Sequence, residues 1–133
     1  MNNCEARAAL REWGAATTQI VLNKQRLKQA AELAETAMLL DKYGSGGGRG
    51  PSEQSLLLRQ EIDRVGQETE FYLRQKRRMD EFVNSLPLLY QQLLGLRYIE
   101  GRKWTYIARK LNYAEASARR FESEALRLLQ KRQ

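Results

Sequence analysis

The chain has no histidine and one cysteine, Cys4. Without imidazole there is no histidine acid–base chemistry and no histidine metal ligand. A lone thiol builds neither an internal disulfide nor a thiolate zinc site. No apolar run approaches the roughly 20 residues that a membrane-spanning helix requires, and the first twenty residues or so hold no secretory hydrophobic segment. Carboxylate pairs such as Glu68/Glu70 and Glu122/Glu124 stand two apart on expected helices, where they do not face each other. These absences predict a cytoplasmic protein that is not an enzyme and carries no cofactor or metal. Proline is also scarce, with only Pro51 and Pro87 in 133 residues, so helices are free to run long between them.

What the chain does have is positive charge in one place. Residues 87–133 hold ten Lys/Arg and four Asp/Glu, while the other 86 residues hold thirteen and twelve. Almost all of the net +7 therefore belongs to the C-terminal third. Charge gathered this way suits phosphate binding with release of counterions.

The spacing of apolar residues predicts an all-α fold. Leu10, Trp13, Thr17, Ile20, Lys24, Leu27, Ala31, Ala34 and Met38 alternate steps of three and four, a heptad seam on a helix over 5–43. Gly14 and the Thr17-Thr18 pair weaken its first third. The glycine-rich stretch 44–51 reads as a linker. It lacks the preceding strand and the Lys-Ser/Thr ending of a phosphate-binding loop, and the charge of Arg49 alone would let it touch a nucleic acid. Ser52 or Ser55 suits the N-cap of a second helix. That helix spans 52–85, with its seam at Leu58, Ile62, Val65, Thr69, Tyr72, Lys76, Met79, Val83 and Leu86. Two such stripes predict a long antiparallel helical hairpin in residues 1–85. The seam polar residues Thr17, Lys24, Thr69 and Lys76 fix register or partner at some cost in stability. The basic run 74–78 reads as a solvated face or an extension of a phosphate track.

Residues 86–133 predict a three-helix module. Pro87 suits a first helical turn, and Leu88, Leu89, Leu93, Leu96 and Ile99 follow at helical spacing. Glu100-Gly101-Arg102 ends that helix. A second helix covers 104–111, with Trp104, Ile107, Ala108 and Leu111 on one face. Asn112-Tyr113 makes the turn, since Asn tolerates the left-handed conformation. The third helix, 114–131, buries Ala118, Phe121, Ala125, Leu126 and Leu129. Small residues at Ala108 and Ala118 let the last two helices cross closely, with Ile107, Leu111 and Phe121 filling the wedge. This pattern is a helix-turn-helix.

The segments Leu96-Arg97-Tyr98-Ile99-Glu100-Gly101, Ile107-Ala108-Arg109-Lys110-Leu111 and Ala125-Leu126-Arg127-Leu128-Leu129 resemble the fourth region of bacterial sigma factors. The layout of the chain is similar to that of phage transcriptional regulators of the ArpU/RinA type. The resemblance implies a phage origin and a bacterial host cell. At two positions the chain departs from the pattern: Asn112 stands where the turn usually has Gly, and Ala114 where the recognition helix usually opens with Ser or Thr. Losing that cap costs about 1 kcal/mol.

The expected function is sequence-specific binding of double-stranded DNA by a transcriptional regulator. Glu115, Ala116, Ser117, Arg119, Arg120 and Ser123 are the candidates for base edges in the major groove. Glu115, Arg119 and Glu122 share one helical face at i, i+4, i+7. Arg97, Arg102, Lys103, Tyr106 and Arg109 are the candidates for phosphates. The hairpin serves self-association or contact with RNA polymerase. Two alternatives stand beside this reading. One is a DNA-packaging protein of the small-terminase kind. The other is a sigma-like interaction module without DNA readout, which the alanines at 114, 116 and 118 favour.

Overall fold

The computed structural model describes residues 2–44 and 52–132, and among them there is no strand. The linker expected at 44–51 lies outside the described residues except for Gly44, and Arg49 lies outside with it. The helices are α1 (Asn3–Tyr43), α2 (Glu53–Asn84), α3 (Leu88–Leu94), α4 (Trp104–Leu111) and α5 (Glu115–Lys131), and α3 continues as a π-helical turn over Gly95–Ile99. None of the described helices is long and apolar enough to cross a membrane. The chain packs into two compact units, Met1–Thr18 with Leu73–Gln133, and Gln19–Tyr72. Residues 1–18 and 73–85 thus pack with the module expected at 86–133.

The core of the larger unit is built from every helix. Leu10 and Trp13 of α1 and Phe82 and Val83 of α2 join Leu93, Leu94, Leu96, Ile107, Leu126 and Leu129. Asn2 caps α1, its Oδ1 accepting the Glu5 N–H at 2.9 Å,. The weak first third expected of α1 is continuous helix. A Cβ added at Gly14 would stand 1.8 Å from the Tyr98 carbonyl oxygen. Glycine therefore sits where the α1 backbone lies directly on the π-helical turn, and packing outweighs its poor helix propensity. The Thr17 and Thr18 hydroxyls bond back to the Trp13 and Gly14 carbonyls,. Trp13 Nε1 donates to Asp80 Oδ1 at 2.8 Å, and Lys76 pairs with Asp80 at 3.0 Å.

Pro87 opens α3 by accepting the Tyr90 and Gln91 N–H groups at its carbonyl. Leu88 and Ile99 belong to the expected row of helically spaced apolar residues, yet they are 68% and 36% exposed. Leu88 stands about 140° around the helix from Leu93, and the wider π-helical turn carries Ile99 out of phase. That turn closes with Glu100 N–H on the Gly95 carbonyl, and Gly101 at φ 67° reverses the chain. Asn112 takes the left-handed conformation at φ 61°. The Tyr113 N–H then reaches the Ala108 carbonyl at 2.9 Å and the Asn112 N–H the Arg109 carbonyl at 3.3 Å, a Schellman closure. Ala114 provides no side-chain cap for α5. Ala108 and Ala118 are buried as expected. Phe121 sits at the core's rim, half-buried against Tyr90 and Tyr113.

In the smaller unit the buried side chains are Ile20, Asn23, Ala30 and Ala37 of α1 with Ser55, Val65 and Thr69 of α2. The expected α1 seam is corrected here, because Lys24, Ala31 and Met38 are exposed and Asn23, Ala30 and Ala37 take their places. Both rows satisfy three–four spacing. The buried one avoids desolvating the Lys24 ammonium and puts alanine at the contacts. On α2 the expected row Leu58, Ile62, Val65, Thr69 and Tyr72 is buried or half-buried. Ser52 Oγ accepts the Ser55 N–H, and Asp41 Oδ2 accepts the Ser52 N–H at 2.9 Å and the Ser55 hydroxyl at 2.7 Å. The Ser52 N–H first, then the Ser55 hydroxyl, hold the Asp41 carboxyl below its ordinary value,.

Candidate nucleic-acid interface

The geometry of α5 sorts its side chains. Ala118, Glu122, Ala125, Leu126 and Leu129 form the buried row. At 100° per residue, the side opposite carries Ala116, Arg120, Ser123 and Arg127, all exposed. Three of these four were expected at base edges. Arg127 was not, and its guanidinium pairs with Glu124 on the same helix. Ser117 is half-buried on one flank.

Glu115 and Arg119 lie on the other flank and pair at 3.1 Å. Glu122 does share their face, but its own carboxylate is turned toward α1 and away from solvent. Glu122 is 6% exposed; its Oε2 accepts the Tyr98 hydroxyl at 2.8 Å and its Oε1 accepts Arg7 Nη2 at 3.3 Å. Burial first, then the bond to the Glu122 carboxylate, push the Tyr98 phenol up from its ordinary value,. One carboxylate thus ties the π-helical turn, α5 and α1 together.

Among the expected phosphate contacts, Arg102, Lys103, Tyr106 and Arg109 are exposed on α4 and the loop before it. The Arg102 guanidinium lies over the Tyr106 ring, 4.5 Å from its centre, and pairs with Glu100 at 3.5 Å. Arg97 is placed differently. It is half-buried, donates from Nη1 to the Arg102 carbonyl at 3.0 Å, and stacks over Trp104 at 4.8 Å. Arg119 approaches the same indole at 5.9 Å. Cations over an indole face are held by its quadrupole.

Arg97, Trp104 and Arg119 form one side of a cleft of about 850 Å³, whose other side is α1 with Arg7, Arg11 and Gly14. The two α1 arginines that line this cleft were not among the expected site residues. Their signal was nonetheless present, since Arg7, Arg11, Gly14 and Thr18 recur at i, i+4, i+7 and i+11, a basic and slim helical face beside the apolar seam. Trp104 was read only as a core residue. Among the described residues no three His, Cys, Asp or Glu converge to hold a metal ion. Comparison of the chain with protein-family models, curated proteins and solved structures finds no match.

Proposed function

We propose that this protein is a sequence-specific, double-stranded-DNA-binding transcriptional regulator in which α4 and α5 act as a helix-turn-helix. The observation that carries the reading is the exposed row Ala116, Arg120, Ser123 and Arg127 opposite the buried face of α5. Slim leading residues let the helix enter a major groove, and a guanidinium at its centre suits the O6 and N7 of guanine. Exposed Arg102, Lys103 and Arg109 supply phosphate contacts that set the docking angle. The likeness to the fourth region of sigma factors and to ArpU/RinA-type phage regulators supports the same reading, and the phage origin rests on that likeness alone. In this proposal α1 and α2 form an antiparallel hairpin that serves self-association. The exposed Leu22, Leu33 and Leu40, on one flank of α1, support it. Contact with RNA polymerase is the alternative use of the hairpin.

Selection of the full chain against a random-sequence duplex pool tests the proposal. An enriched motif is expected. Arg120→Ala then relaxes it at one base pair by about 1–3 kcal/mol, whereas Lys103→Ala weakens every sequence alike. Duplex retention without enrichment would overturn sequence-specific reading. No retention at low salt would leave the interaction module as the better account.

A further inference from the structure

The cleft beside α5 is strongly cationic and roomy. Four guanidinium groups line it, those of Arg7, Arg11, Arg97 and Arg119, against the single carboxylate of Glu122. Both oxygens of that carboxylate are engaged, one by Tyr98 and one by Arg7. Arg11 is exposed and makes no ion pair among the described residues. Like charges gathered around one concavity focus a positive potential there. Planar guanidinium forks match phosphate oxygens. The place of the cleft narrows the choice of ligand. Arg119 and Ser123 of α5 line it, and so does Gly101, in the turn before α4. A strand whose bases meet the outer row of α5 would pass its backbone over this mouth.

We propose that the cleft seats the sugar-phosphate backbone of bound DNA, with Arg11 of α1 as a phosphate contact alongside Arg97 and Arg119. This rests on the helix-turn-helix reading and extends the DNA interface to residues near the other end of the sequence. The groove edge is then held from two sides, by α4 and its loop and by the first turns of α1. Arg7, anchored on Glu122, lends its positive field and keeps the wall in place.

The test is fluorescence anisotropy of a labelled random-sequence duplex with the full chain, titrated over sodium chloride. Arg11→Gln is expected to reduce the slope of log affinity against log salt by about 0.9, the share of one phosphate. Arg11→Glu is expected to weaken binding by at least about tenfold near 0.1 M salt, with an unchanged helical signal and melting point. Arg26→Gln, outside the cleft, keeps the wild-type slope. Lys103→Gln serves as the reference for the helix-turn-helix itself. If Lys103→Gln lowers the slope while both Arg11 variants match wild type, the cleft proposal fails and the helix-turn-helix reading stands. If the wild-type chain binds no duplex, both fail. Calorimetry with inorganic phosphate distinguishes a free anion as the source. Phosphate binding that is lost in Arg11→Gln, with duplex binding unaffected, would overturn the assignment to DNA.

Discussion

The two compact units bury different kinds of side chain. In the larger unit Leu10, Leu93, Leu94, Ile107 and Leu126 are wholly buried; in the smaller, the largest side chains so enclosed are Val65, Asn23 and Ser55. The smaller unit leaves Val21, Leu22, Leu33, Leu39, Leu40, Leu57 and Phe71 exposed and buries alanine. It also encloses Asn23, whose Oδ1 accepts from Gln19 while Nδ2 meets no acceptor among the described residues. Apolar burial at about 25 cal/mol per Å² therefore favours the larger unit. In the smaller one, helix propensity and the Asp41–Ser52–Ser55 cap take a greater share. The smaller unit thus turns many of its large apolar residues outward, and the larger one encloses them.

The comparison breaks most visibly in the cores. Leu94→Ala is expected to cost about 3–5 kcal/mol, and Val65→Ala about 1–2 kcal/mol from the methyl groups lost. Urea unfolding of the two variants measures the gap; equal losses would show that the units are equally well packed. Glycine substitutions sharpen it further, because their signs differ. Gly14→Ala forces a methyl into the Tyr98 carbonyl and is expected to cost about 1–3 kcal/mol. Gly66 has nothing within 4 Å of an added Cβ, so Gly66→Ala is expected to gain about 0.5–1 kcal/mol. Thermal melts followed by circular dichroism decide both.

The smallest effects lie at opposite ends of the pH scale. The Tyr98 phenol is raised in the folded chain, so its contribution is complete below the unfolded value near pH 10 and is lost as pH rises toward the folded value. Tyr98→Phe is expected to cost about 1–2 kcal/mol at neutral pH and to flatten that alkaline decline. Asp41 is lowered, so its contribution is complete above the ordinary carboxylate value near 4 and fades as pH falls through the folded value. Asp41→Asn removes that acid limb. Hydrogen exchange resolved by segment shows which unit opens at each end, and an alkaline transition seated in 19–72 would contradict the assignment.

Local rules made much of this architecture readable. Gly101 and Asn112 both adopt the positive φ that their residue types favour, and α4 has the bounds that its apolar face implied. The α1 seam was not readable, because alanine-rich helices offer several rows of equal spacing and only the partner helix selects one. Nor was the place of Glu122. Its surroundings depend on Arg7, 115 residues away, and no local pattern carries that information. The outer row of α5 was partly legible. Arg120 and Ser123 belong to it, while Arg119 is drawn aside by Trp104 and Glu115.

The docking of Gly14 on Tyr98 also sets a timetable. The partners of Leu10, Trp13 and Arg7 lie at residues 80–129, so the first turns of α1 leave the ribosome long before the surface they cover. At about 5–20 residues per second, that wait is on the order of ten seconds. Contacts of such sequence separation also slow folding once the chain is free. During that interval α1 offers the indole of Trp13 and the side chain of Leu10 to whatever it meets. Chaperone dependence and loss to aggregation during synthesis should therefore track the first five turns of α1 more closely than the sequence of α5.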